Sequence, residues 1–304
     1  MARKRRGNPI DGILLIDKPQ GMSSNQVLQR AKRLLNAQKA GHTGALDPIA
    51  TGVLPICLGE ATKLSQYWLD ADKSYQVTAK LGEVTDTLDS EGEVLKTTPV
   101  PDLSESDIQA VLADFTGEIG QIPPMYSALK HQGKPLYELA REGIEIERKA
   151  RTITIYQLEL IDWQPPMLTL RIDCSKGTYV RTLVDDIGNV FNCGAHVVKL
   201  RRLKAGPFQL DDCQALEAVE ALSLGAALQT FLPIHTAVQD WVQCHLDKEQ
   251  TQRLMHGHAV FVEQEEASPV ALFEQGSERF LGVGEVKSDA KVYPKRLIRS
   301  PESQ

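Results

Sequence analysis

The residues best placed to do chemistry stand in Gly41-His42-Thr43-Gly44-Ala45-Leu46-Asp47-Pro48-Ile49-Ala50-Thr51-Gly52-Val53-Leu54-Pro55, whose one carboxylate is Asp47, with no further acid before Glu60. Three glycines and two prolines at this density fix turns and do not fill a helix or strand. The residue before a proline is pushed toward extended φ/ψ, so Asp47 is predicted on a presented loop. Asp-Pro is also a common turn opener, and on spacing alone Asp47 reads as a turn cap. A second Gly-led segment, Lys176-Gly177-Thr178-Tyr179, runs on into Arg181. Taken alone, Arg181 reads as a helix-surface partner of Asp185, four residues along. A lone carboxylate gains catalytic use when it is dry and fixed in position, acting covalently or on developing charge.

The common cofactor and hydrolase signatures are missing. The chain has no Gly-rich phosphate loop ending in Lys-Ser/Thr, no dinucleotide fingerprint, no His-Glu-x-x-His and no Gly-x-Ser-x-Gly. Of its seven histidines only His256 and His258 are close together. The five cysteines are scattered and odd in number, which speaks against a disulfide framework or a zinc site and fits a reducing cytosol. Metal and nucleotide cofactors are therefore not expected. No apolar run approaches the roughly 18 residues of a membrane span, and the run Gly12–Ile16 is too short for a signal-peptide core.

The 304 residues suffice for one large and one small domain, and 42% hydrophobic with 24% charged residues describes an ordinary globular chain. The net charge of −6 is unevenly spread. Residues 1–66 hold ten Lys/Arg, including Arg3, Lys4, Arg5 and Arg6, against four Asp/Glu. Lys199, Arg201, Arg202 and Lys204 form a second basic knot with no acid in it, for which a solvated face and a contact to an anionic polymer weigh about equally. Such asymmetry suits an anionic polymer partner.

Elements to carry these residues follow in order. Gly12–Ile16 is predicted as a buried strand, and Ser23 or Ser24 as the cap of a helix buried through Val27, Leu28, Ala31, Leu34 and Leu35. Val53–Leu58 and Tyr75–Gly82 read as strands, the latter alternating cleanly. Ser104 with Asp107 predicts a capped helix buried through Ile108, Val111, Leu112 and Phe115. Residues 121–152 read as a long excursion with Lys130, His131 and Lys134 near its tips. Thr152–Ile161 and Leu168–Cys174 form a predicted antiparallel pair. Val180, Leu183, Val184, Ile187 and Phe191 trace a buried helical stripe, and Val197–Leu203 returns as a strand. Gly206–Ala237 reads as helical and acidic. Beyond Trp241, Ala259–Val262, Val270–Phe273, Phe280–Val286 and Lys291–Ile298 read as the strands of a small β-barrel-like domain. The fold class is α+β, with a mixed, mainly antiparallel sheet.

Three blocks, Gly12–Ser24 (GILLIDKPQGMSS), Gly41–Gly59 (GHTGALDPIATGVLPICLG) and Ser175–Gly188 (SKGTYVRTLVDDIG), closely resemble those of the bacterial TruB-type tRNA pseudouridine-55 synthases. The likeness covers most of residues 10–205, and 240–298 resembles a small RNA-binding PUA domain. It implies a catalytic domain at 1–237 and a PUA-like domain at 238–304. It further implies cofactor-free isomerisation of a T-loop uridine in tRNA, which must be extruded from the stack to react. Asp47, Arg181 and Tyr75 match catalytic positions, Tyr75 also stacking on the base; His42, Tyr179, Leu200 and Lys18 match substrate-binding positions. The 121–152 excursion matches an arm whose Lys130 and Lys134 meet phosphates. A monomer in the cytoplasm, with tRNA as its partner and no obligatory protein partner, is the expectation. Two other readings stay open: a non-catalytic RNA-binding or tRNA-folding module, and a relative that depends on a guide RNA.

Overall fold

The computed structural model describes residues 7–299, so the cluster Arg3–Arg6 lies outside the described residues. Ten strands share one sheet: β1 (Gly12–Lys18), β2 (Ala40–His42), β3 (Thr51–Leu58), β4 (Lys73–Leu81), β5 (Gly117–Gln121), β6 (Arg151–Gln164), β7 (Met167–Cys174), β8 (Ala195–Ala205), β9 (Phe208–Gln209) and β10 (Gln214–Ala215). Their order is β10-β1-β3-β8-β4-β7-β6-β5, with β2 beside β3 and β9 beside β8. The β1–β10 and β3–β8 pairs are parallel and the others antiparallel, giving the mixed, mainly antiparallel sheet expected.

β1 is apolar from Ile13 to Ile16 because both of its faces are covered there. Leu14 and Ile16 pack with Val27, Leu28, Ala31 and Leu35 of and just beyond helix α1 (Ser24–Leu34). Ile13 and Leu15 face the other way, into a cluster holding Ala271, Phe273 and Phe280 of the C-terminal sheet. Full burial of each such side chain is worth about 1.5–3 kcal/mol, so the C-terminal sheet is docked by a shared core. β4, β7 and β8 differ. One face, with Val77, Leu170 and Val197, is sealed by Leu183, Val184 and Ile187 of helix α3 (Val180–Val190), which packs in one core with Ile108 and Leu112 of helix α2 (Glu105–Asp114). On the opposite face Gln76, Arg171 and Lys199 stay exposed, which explains the clean alternation there. Both helix starts that could be read from capping residues are capped as expected, Ser23 bonding Gln26 and Ser104 bonding Asp107.

The C-terminal sheet runs β11-β13-β14-β15-β12, from β11 (Val242–Leu246), β12 (Val260–Phe261), β13 (Ala267–Glu274), β14 (Phe280–Val286) and β15 (Lys291–Leu297), and curls into a half-barrel. Helix α4 (Lys248–Met255) sits between its first two strands, in a block read from sequence as strands and turns alone. Its signal was present in Asp247, whose side chain caps Gln250. The expectation of a helical 206–237 also needs correcting. That stretch contributes β9 and β10 to the large sheet before two short helices, because Gln214 and Ala215 complete the open edge of β1.

Candidate active site

The core of β4 and β8 gives way to an open cavity beside the N-terminus of α3. This cavity, of about 350 Å³, is lined by Asp47, Tyr75, Tyr179, Arg181, Leu200 and Arg202 among others. The volume suits a small ligand such as one nucleoside. Tyr75 and Leu200 face it from β4 and β8, where Arg202 stands directly opposite Tyr75 and Leu200 opposite Val77. Tyr179 precedes α3, and Gln121 at the end of β5 holds its backbone twice: Tyr179 N–H donates to Gln121 Oε1 (2.8 Å), and Gln121 Nε2 donates to Tyr179 O (3.1 Å).

Asp47 enters on the turn between β2 and β3, and the first sequence block pins that turn. The Leu46 amide donates to Ser24 Oγ at 2.7 Å, and Ser24 returns a bond to Leu46 O at 3.1 Å. Gly21 N–H donates to Pro48 O at 2.8 Å. Lys18 lies beneath, wholly buried, with Nζ donating to the carbonyls of Pro19, Met22 and Pro48. Burial pulls its pKa down to about 8, against the attraction of Asp47. The substrate-binding role implied for Lys18 is therefore corrected: its ammonium is spent on backbone carbonyls under the turn, out of an RNA chain's reach.

Arg181 Nη2 pairs with Asp47 Oδ2 at 2.9 Å and not with Asp185, which takes a bond from Asn189 instead. A cation in the first turn of a helix opposes the macrodipole. Here two carboxylates compensate it, since Arg181 Nη1 also meets Asp89 at 3.3 Å. The same guanidinium donates to Thr87 O (2.9 Å) and Tyr126 O (2.7 Å), so it is fully engaged and 5% exposed. Asp47 is open to water on the cavity side, with 41% of its side chain accessible, yet protein crowds it on the others. That crowding raises its pKa, the Asp89 charge adds to the rise, and Arg181 and Lys18 oppose it. Burial likewise raises the Tyr75 hydroxyl, opposed by Arg202.

The other expected residues are placed as follows. His42 lies half-buried on β2 opposite Ile56, away from the cavity lining, with Nδ1 buried and unpartnered; burial lowers its pKa, and Arg202 lowers it further. Lys130 stands exposed on the small hairpin pairing Lys130–His131 with Lys134–Pro135, and Lys134 is tied to Glu142 at 2.6 Å. Asp89, Arg202 and Gln121 were not singled out by sequence. Asp89 sits among Asp86, Ser90 and Gly92 and reads as turn composition. Arg202 sits in the basic knot, for which sequence weighed a solvated face about equally with a polymer contact, and its burial fits neither. Strand alternation leaves Lys199 outside, sends Arg201 to Asp17 at 2.7 Å and buries Arg202 to 1% exposure, while a register shift between Arg202 and Lys204 turns Lys204 outward.

The same architecture occurs in a solved structure titled "Crystal Structure of a Cbf5-Nop10-Gar1 Complex" (27% identity, TM-score 0.71, 90% of this chain and 78% of that one). It also occurs in the structure of an "H/ACA RNP bound to a substrate RNA containing 2'-deoxyuridine" (22% identity, TM-score 0.74, 99% and 92%), a likeness of fold alone. The model for the N-terminal domain of the TruB family pseudouridylate synthases matches residues 32–180. A sheet of this order with an aspartate turn over its cavity is thus that of a pseudouridine synthase, an isomerase. The model of a tRNA pseudouridylate synthase B C-terminal domain matches 181–239, and that of a TruB pseudouridine synthase II C-terminus matches 243–298. Proteins named tRNA pseudouridine synthase B are 49% identical in Chromohalobacter salexigens (99% of this chain, 98% of the relative) and 50% in Actinobacillus pleuropneumoniae (97% and 98%). The chain belongs to the TruB family.

Proposed function

We propose that this chain converts the uridine at position 55 of the tRNA T loop to pseudouridine. The observation that carries this reading is the Asp47–Arg181 pair at 2.9 Å, set over a nucleoside-sized cavity with two tyrosine rings. Within it the uridine is everted from the stack. The C1′–N1 bond breaks, the base turns, a C1′–C5 bond forms, the C5 proton leaves and N1 takes up a proton, so the product is an isomer of the substrate. Asp47 acts on the reacting nucleotide as the carboxylate, kept ionised by Arg181 against its desolvation. Tyr75 stacks on the base and stands by its hydrogen, Leu200 and Tyr179 exclude water, and His42 supports the rearranged RNA around the vacated stack. Residues 1–237 form the catalytic part and 238–304 an RNA-binding part, while the 121–152 arm brings Lys130 and Lys134 to phosphates. The protein acts as a cytosolic monomer without a guide RNA.

The test is hydrogen release from a tRNA transcript carrying C5-tritiated uridine. Release is expected from the normal transcript and lost when the target uridine alone is replaced. Release that persists after that replacement would sink the assignment.

A further inference from the structure

Two guanidinium groups line the cavity, and their surroundings are opposite. Arg181 is matched by two carboxylates, whereas Arg202 has none within ion-pair distance among the described residues. A cation at 1% exposure without a carboxylate is costly to keep. What Arg202 does touch is specific. Its Nε donates to Val53 O at 2.8 Å and its Nη2 to Gly44 O at 3.2 Å, one residue on either side of the turn that holds Asp47. It also faces Tyr75 directly across the β4–β8 ladder and lines the same cavity, where its charge acts on the Tyr75 hydroxyl.

The backbone confirms how close the fit is. Gly52 pairs with Arg202 between β3 and β8, and a Cβ on Gly52 would lie 2.2 Å from Arg202 O. Gly52 also has a φ of +103°, which an L side chain rarely adopts. Gly44 has a φ of +110° and turns its carbonyl to the guanidinium.

We propose that Arg202 is a positioning residue that fixes the Tyr75 hydroxyl relative to both ends of the Asp47 turn, so that the phenol oxygen meets the departing C5 hydrogen. This rests on the uridine-isomerising reading of the cavity. In the step concerned, the C5–H bond breaks and its electron pair returns to the pyrimidine ring. The proton passes to the Tyr75 oxygen, and the phenol's own proton leaves through the cavity mouth. One rigid fork that reaches two carbonyls and brings its charge beside a phenol explains why arginine stands here; a lysine ammonium would not span both carbonyls. It also explains why no carboxylate accompanies it, since a nearby anion would draw the fork off the carbonyls.

The test uses Arg202→Lys and Arg202→Met in the full chain, with tRNA transcripts carrying hydrogen or deuterium at C5 of the target uridine. Both variants are expected to melt cooperatively and to bind tRNA like the wild type. Single-turnover rates are expected to fall by about 100-fold for Arg202→Met, the scale of an ångström's misplacement, and by less for Arg202→Lys. The C5-deuterium isotope effect is expected to grow in both, because hydrogen removal becomes the slow step. A rate loss with an unchanged isotope effect would overturn the proposal, as would wild-type rates, or failure of both variants to fold, which would make Arg202 a plain rivet of the fold. A wild type that releases no C5 hydrogen would overturn the uridine reading itself, an outcome distinct from these.

Discussion

The Asp47 turn and the 121–152 excursion border the same cavity and are built in opposite ways. The turn is short and tied down from β1, from the first residue of α1 and from β8, through Lys18, Ser24 and Arg202. The excursion is held at its root, by Gln121 on Tyr179 and by the Tyr126 carbonyl on Arg181. From 128 to 150 its backbone-to-backbone bonds, among the described residues, are made within the segment, as in Leu136 to Leu129 and Ile144 to Leu139. It also exposes Ile122 and Ile144. The proposed function thus sets its chemistry on the part with the least freedom, and its RNA contact on a part that opens locally at little cost. The two roots meet at Arg181, which bonds both Asp47 and the Tyr126 carbonyl.

The contrast predicts separable defects, the largest on the rigid side. Asp47→Asn is expected to lower single-turnover isomerisation on the order of 10³-fold or more while leaving tRNA affinity intact. Arg181→Met is expected to act nearly as strongly, again with binding retained. Large loss of binding with normal single-turnover chemistry would remove both residues from the chemical step. Ser24→Ala tests the pinning itself. It strands the buried Leu46 amide, a loss of about 1–3 kcal/mol, so the melting temperature should drop along with the rate at saturating enzyme. If the rate holds while stability falls, rigidity of the turn is not what the reaction uses.

On the arm, Lys130→Ala is expected to weaken tRNA binding and reduce the slope of log affinity against log salt by about one, with the single-turnover rate at saturating enzyme unchanged. An unchanged salt slope would mean that Lys130 meets no phosphate.

These two regions also differ in how far sequence alone described them. Glycines, prolines and the residue before Pro48 identified the turn and its carboxylate, because local φ/ψ restrictions act through neighbours in the chain. The strands β4, β6, β7 and β8 and the helices α1, α2 and α3 were legible for the same reason, since their burial repeats with their own period. What encloses the site was not. Asp89 reaches Arg181 across 92 residues, and Arg202 reaches Gly44 across 158. Neither carries a local signal, because composition alone made one a loop residue and the other one member of a basic run. Lys18 was found through family likeness, but its burial needed coordinates. β9 and β10 escaped notice because two-residue strands have no period.

The smallest expected effect tests whether Asp47 and Asp89 share Arg181 electrostatically. Asp47 is held above the ordinary aspartate range chiefly by burial, and the Asp89 charge pushes it further up. The active form is the carboxylate, so the single-turnover rate should fall as pH drops through this raised pKa. Asp89→Asn removes one negative charge, favours ionised Asp47, and should move that acidic limb to lower pH. The same change loosens Arg181, whose Nη1 loses its anion, so the plateau rate at neutral pH should fall as well. A lower plateau with a downshifted limb fits a shared guanidinium. A lower plateau with the limb unmoved, or moved upward, would mean that Asp89 only orients Arg181 and that its charge is not felt at Asp47.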